Sequence, residues 1–144
     1  MNKSIRTEII INASKEKVWG ILTDFANYPA WNPFIRNISG ELVAGGKLTV
    51  TLLNGSKDFV IRPRVLSVTP NKYFDWIGNL GFKGIFDGRH YFEIEELGRR
   101  QVQLNHGEYF SGLLSGYILK KIGNDTRANF IRMNQAIREL AEKP

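Results

Sequence analysis

Two histidines and one glutamate carry the chemistry this chain can offer. His90 and His106 are its only histidines, and Glu108 stands two residues past the second. In an extended chain, side chains two positions apart point to the same side. Val102, Leu104, His106, Glu108 and Phe110 therefore share one face, and Phe86, Gly88, His90, Phe92 and Ile94 share one on an earlier stretch. Both sets are mostly apolar and are expected to face inward. The opposite sets, Arg89, Tyr91 and Glu93 with Gln101, Gln103 and Asn105, read as solvated. A bulge at Gly88 or Gly107 would reverse part of this sorting.

Imidazoles and a carboxylate on an inner wall admit three uses. They can satisfy one another, because an unpartnered neutral polar group costs ~1–3 kcal/mol when buried and a carboxylate costs more. They can orient the polar head of an apolar ligand. Or they can act as a general acid–base pair, which requires hydrogen-bond reach of a substrate. A metal triad is a weak fourth use, since the two histidines lie on separate strands with no tight partner spacing, and no metal is expected. The chain contains no glycine-rich phosphate loop and no Gly-x-Ser-x-Gly elbow. It has no cysteine, which removes disulfides, thiolate metal sites and a cysteine nucleophile and fits a cytosolic protein. No cofactor is expected.

The elements that must position these groups follow from pattern. Residues 4–12 read as a strand rich in Ile and Thr. Ser14 stands where a helix cap belongs, with Lys17 where a capping-box Glu would be. Val18, Ile21, Leu22 and Phe25 then recur at helical spacing, with Trp19 beside that face. Asp24 is placed to cap a second short helix near 25–28, and Pro29 and Pro33 are expected to break any continuation. Strands are expected over 36–43, 47–54, 58–69, 72–79, 84–96 and 100–110, with turns at Gly45-Gly46, Asn54-Gly55, Pro70-Asn71, residues 79–81 and Gly98. Short turns between successive strands imply an antiparallel meander. Gly84 and Gly88 suggest bulges or sharp curvature in a long strand. The chain closes on a helix that begins between 112 and 126 and runs to about 141, with Asp125 as a plausible cap. Leu113, Leu114, Ile118, Leu119 and Ile122 read as an earlier helical turn or as a lid.

At 144 residues the chain is expected to be one domain, residues 1–144. Its net charge of +6 comes from 20 basic and 14 acidic residues. The basic residues are scattered, the largest group being Lys120, Lys121, Arg127 and Arg132, so the charge reads first as solubilising. A nucleic-acid partner is not expected. Peripheral contact with an anionic membrane surface stays open. No apolar run approaches the ~20 residues needed to span a bilayer, and no signal peptide is visible. Aromatics make up 12%, enough to fill a core or line a pocket.

Three segments carry a family resemblance. The first is Ile10 to Phe25 followed by Tyr28-Pro29-Ala30-Trp31-Asn32-Pro33-Phe34. The second is Phe86-Asp87-Gly88-Arg89-His90-Tyr91-Phe92-Glu93, and the third is His106-Gly107-Glu108-Tyr109-Phe110-Ser111-Gly112-Leu113-Leu114. Together they resemble the START-like (SRPBCC) superfamily, in its polyketide cyclase/dehydrase-like branch. That resemblance implies an α+β helix-grip fold: two short helices after the first strand, then a curved antiparallel sheet of about seven strands in all, wrapped around a long C-terminal helix. It further implies an internal cavity for a small hydrophobic molecule such as a lipid, quinone, polyketide or aromatic metabolite. Two alternatives stay open. One is a polyketide cyclase or dehydratase using His90 or His106 with Glu108. The other is a protein-interaction module related to co-chaperone domains. In such a fold the loop Trp31, Asn32 and Phe34 approaches the cavity mouth. Phe59, Ile61, Pro63 and Trp76 alternate onto one face of the middle strands, as core or as pocket wall, and Phe86, His90, Phe92, His106, Glu108 and Phe110 would line the later ones. Phe130, Met133 and Asn134 would come from the last helix, with Asn32 and Asn134 as polar contacts. The oligomeric state is not readable.

Overall fold

The computed structural model describes residues 3–79 and 84–144. The turn expected at 79–81 lies partly outside the described residues. Strand β1 (Ser4–Ile11) leads into helix α1 (Lys15–Thr23), a 3-10 turn (Phe25–Asn27) and the short helix α2 (Tyr28–Trp31). Seven strands follow: β2 (Ile35–Gly40), β3 (Leu48–Asn54), β4 (Lys57–Ile61), β5 (Arg64–Thr69), β6 (Tyr73–Asn79), β7 (Asp87–Gly98) and β8 (Gln101–Ser111). Helix α3 (Ser115–Ala141) ends the chain. The strands form two antiparallel sheets, one ordered β1-β8-β7-β6-β5 and one ordered β2-β3-β4. This is the expected α+β class, with curved antiparallel sheets and a long C-terminal helix, and the strand count is eight rather than about seven.

Local chemistry accounts for most boundaries. The Ser14 side chain accepts a hydrogen bond from Lys17 N at 3.1 Å and caps α1. Pro29 does not break the chain as expected. It sits in the first turn of α2, where its missing N–H would have no intrahelical acceptor. Asp24 does precede the 3-10 turn, but its carboxylate bonds the Asn27 side chain instead of a backbone cap. The stretch expected as one strand over 58–69 is divided at Arg62-Pro63 into β4 and β5, which belong to different sheets. Pro63 cannot donate to a ladder, yet its carbonyl accepts from Leu48 N at 3.0 Å, so the break is also the joint between the sheets. Asp125 is not a cap, because α3 begins ten residues earlier as one continuous helix through Gly116 and Gly123.

The second half of α3 anchors the core. Phe130, Met133 and Ile137 are fully buried and Ala141 nearly so, at the spacing of one helical stripe against the larger sheet. Each large apolar side chain buried this way contributes roughly 1.5–3 kcal/mol. The first half is different. Between Gly116 and Ala128 no residue is fully buried, and Ile118, Leu119 and Ile122 are only half-covered.

Candidate functional site

The register of β7 against β8 runs without interruption from Asp87↔Ser111 to Glu96↔Val102. There is thus no bulge at Gly88 or Gly107, and the alternation deduced from sequence holds on the inner face. Strand pairing sets His90 opposite Glu108 and Phe92 opposite His106. One outer-face expectation fails: Tyr91 is buried, because it stacks between Tyr73 and Tyr109 and its hydroxyl lies over Gly107.

The three polar groups join a chain of hydrogen bonds. Glu108 Oε1 lies 3.2 Å from His90 Nδ1, and His90 Nε2 lies 2.8 Å from His106 Nε2. His106 Nδ1 lies 2.8 Å from Asn134 Oδ1, and Asn134 Nδ2 donates to Thr7 Oγ1 at 2.9 Å. The Thr7 hydroxyl donates to the His106 carbonyl at 2.7 Å. Aromatic rings hold the imidazoles in place: Trp76 stacks on His90 at 5.1 Å, and Phe130 stacks on His106 at 4.3 Å. Complete burial, followed by the nearby His90, pushes His106 well below the usual imidazole range, so it is neutral at pH 7.

Proton directions follow by elimination. The single Thr7 proton goes to the carbonyl, so Asn134 must present its NH2 to Thr7 and its oxygen to His106. His106 therefore carries its proton on Nδ1 and offers a bare Nε2. His90 must then donate from Nε2. One further proton remains between His90 Nδ1 and Glu108 Oε1, because without it two lone pairs would face each other. The arrangement is a linear relay whose nitrogens face one another. Among the described residues, no group of three His, Asp or Glu is disposed to hold a metal ion.

Beside this relay lies a cavity of about 60 Å3. Of the residues expected to bind a ligand, Phe34, Phe59, Ile61, Trp76, Phe86, His90, Glu108 and Phe110 line it. The others do not. His106 is fully buried behind His90, and Phe92, Phe130 and Met133 are core. Asn134 is consumed by the relay, which is why it offers no polar contact to the cavity. Asn32 is buried with its oxygen accepting from Phe34 N and Ile35 N, a local turn contact that leaves its Nδ2 without a partner. Trp31 packs edge-on against Tyr28 and faces a different groove beside Ile21 and Leu140. Pro63 is buried at the joint between the sheets.

Sequence reasoning missed Leu52, Leu53, Gly78, Thr126 and Asn129 as wall residues, and assigned Ile122 only to a helical turn or lid. The signal existed for part of this set, since 122, 126 and 129 follow helical spacing. The least buried wall residues come from β3, β4 and the first half of α3, so the mouth lies between them.

Comparison with known proteins agrees with the architecture. The profile of a family described as "Polyketide cyclase / dehydrase and lipid transport" matches residues 3–138. No curated protein matches the chain. Among solved structures, a START superfamily protein from Mycobacterium smegmatis superposes with a TM-score of 0.74 at 20% identity, covering 96% of this chain and 97% of that one. The Zhui aromatase/cyclase from Streptomyces sp. R1128 gives 0.76 at 16% identity, with 96% and 93% covered. Norcoclaurine synthase from Thalictrum flavum, in complex with dopamine and hydroxybenzaldehyde, gives 0.71 at 15%, with 98% and 88% covered. At these identities the likeness is one of fold.

Proposed function

The chain belongs to the polyketide cyclase/dehydrase and lipid transport family, and from that premise we propose that it binds a small hydrophobic molecule, without catalysis, in the cavity beside His90 and Glu108. The observation that carries this reading is a wall of Phe34, Phe59, Trp76, Phe86 and Phe110 into which the His90 and Glu108 side chains also project. Apolar walls supply affinity by burial, at about 25 cal/mol per Å2, and the few polar groups supply orientation.

The cavity itself is small. About 60 Å3 holds a few waters, whereas sites for drug-sized ligands span roughly 300–1,000 Å3. Binding therefore requires the wall to open. The part that gives is the loosely covered first half of α3 over the β3–β4 hairpin. The anchored half, from Asn129 onward, stays in place. Among the described residues no helix is long and apolar enough to cross a membrane. A single domain, residence in the cytosol and independence from nucleic acid belong to the same reading.

Titration with 2-methoxynaphthalene, followed by native mass spectrometry and Trp fluorescence, tests the proposal. Saturable one-to-one binding is expected in the wild type. It should be lost in Thr126→Phe, which fills the mouth, at unchanged folded circular dichroism. Binding that survives Thr126→Phe places the ligand elsewhere and overturns the reading.

A further inference from the structure

We propose that the cavity selects ligands whose head group is a hydroxyl, phenolic or aliphatic, over the corresponding ethers, ketones, quinones and esters. The inference rests on the binding role above and adds the chemistry of the head group.

The argument is the end of the relay. Glu108 Oε1 is engaged with His90 Nδ1, and the shared proton lies between them whether it resides on nitrogen or oxygen. In either state the second oxygen, Oε2, bears no proton. That atom lies directly over Gly88, so close that a Cβ there would sit 2.0 Å from it. Gly88 and Glu108 are both cavity wall. Among the described residues no hydrogen bond to Oε2 is formed. The cavity reaches this oxygen, so a ligand donor that enters can bond it directly, and hydrogen bonds to a carboxyl oxygen are among the stronger ones. Neighbouring polar wall groups do not change the polarity of this point. The Thr126 hydroxyl already donates to Ile122 O, and Asn129 is occupied by Leu53 O and Arg132.

A hydroxyl is the donor that suits the wall. It brings one proton and little further polarity into the aromatic surroundings. An ammonium would carry a charge into the same apolar space at a much larger desolvation cost. A carbonyl or ether oxygen would face Oε2 lone pair to lone pair. Glu108 is thus the specificity-determining residue. His90, His106, Asn134 and Thr7 are positioning residues that fix where its proton is.

The test is a matched pair, 2-naphthol and 2-methoxynaphthalene, which differ by the donor alone. The wild type is expected to bind the naphthol about tenfold tighter, the ratio that one hydrogen bond provides. Glu108→Gln keeps the preference, because His90 Nδ1 draws the amide NH2 and leaves the amide oxygen toward the cavity. Glu108→Met covers the same imidazole with no acceptor and brings the ratio near one. Imidazole 15N NMR checks the relay without ligand, with His106 expected as the Nδ1–H tautomer. Equal affinities in the wild type, or a preference retained in Glu108→Met, overturns the head-group inference while leaving the cavity standing, and an Nε2–H His106 overturns the proton directions assigned to the relay. If neither compound binds, the cavity reading falls and takes this inference with it.

Discussion

Strands β6, β7 and β8 carry a polar network on each face, and the two differ in one respect. On the outer face Asp75 is buried and closed. Its Oδ1 accepts from Ser67 N and Ser67 Oγ, and its Oδ2 accepts from the Tyr73 hydroxyl and from Arg89. On the inner face Glu108 is bonded through one oxygen and presents the other to the cavity wall. A carboxylate with every lone pair used holds structure together. One with a lone pair open to a cavity can take a donor that a ligand brings. Both faces are built from neighbouring residues of the same strands, so the contrast can be broken by substitutions a few ångströms apart.

The largest expected effect is on the closed side. Asp75→Ala strands Arg89 and the Ser67 groups, and should destabilise the fold by about 3 kcal/mol. That is the low end for breaking a buried pair, because the Arg89 side chain is 37% exposed. Urea unfolding measures it, and affinity for 2-naphthol per folded molecule should be unchanged. A variant as stable as the parent would remove the structural role assigned to the outer network.

Two glycines sharpen the comparison next. A Cβ at Gly107 would stand 2.5 Å from the Tyr91 hydroxyl and 2.6 Å from the backbone oxygen of Ile5. Backbone does not yield, so Gly107→Ala should cost about 2–3 kcal/mol by overpacking. A Cβ at Gly88 meets only the tip of Glu108, which can swing away. Gly88→Ala should cost less than about 1 kcal/mol in stability but abolish the preference for naphthol over its ether. If both substitutions damage folding equally, the inner face is as rigid as the outer one and the contrast is wrong.

Acidification probes the inner relay alone. His106 is neutral in the folded protein, whereas in the unfolded chain it takes a proton near pH 6.5. Unfolding below that pH therefore takes up a proton. The stability it contributes is complete above pH 6.5 and is lost as pH falls toward the depressed folded value. The slope from this one group is about 1.4 kcal/mol per pH unit. Unfolding free energies of wild type and His106→Phe, compared between pH 7 and 5, should differ by that slope, with the variant flatter. Parallel curves would mean that His106 is not held neutral.

What the sequence made legible, and what it hid, divides along the same line. Period-two alternation placed His90, His106 and Glu108 on the inner face, since an uninterrupted register leaves no other choice. The Ser14 cap was legible because capping is a local bond. Burial of Tyr91 was not, because its cover comes from Tyr73 and Tyr109 on neighbouring strands. Nor was the use of Asn134 inside the relay, which depends on Thr7 more than a hundred residues away. Pro63 was visible, but its consequence, a joint between two sheets, depends on Leu48 reaching its carbonyl. Asn32 looked like a ligand contact because its neighbours are aromatic, and instead closes its own turn.

The smallest expected effect tests whether the outer network is as closed as its bonds suggest. Tyr73 donates to Asp75 Oδ2 at 2.9 Å, and burial with this bond pushes its phenol up to about 12. Tyr73→Phe removes one of four donors to Asp75 while Arg89 keeps its hold on Oδ2. The loss should be about 1 kcal/mol, the net worth of a single hydrogen bond. The pH dependence has a fixed sign. The folded state favours the neutral phenol, so this stability is complete below pH 10 and lost as pH rises toward 12. Ultraviolet titration of wild type minus Tyr73→Phe should isolate one late-ionising tyrosine. If the variant instead lost several kcal/mol, Tyr73 would be holding Arg89 in place. The outer carboxylate would then depend on a single phenol, and the two faces would differ less than their hydrogen bonds indicate.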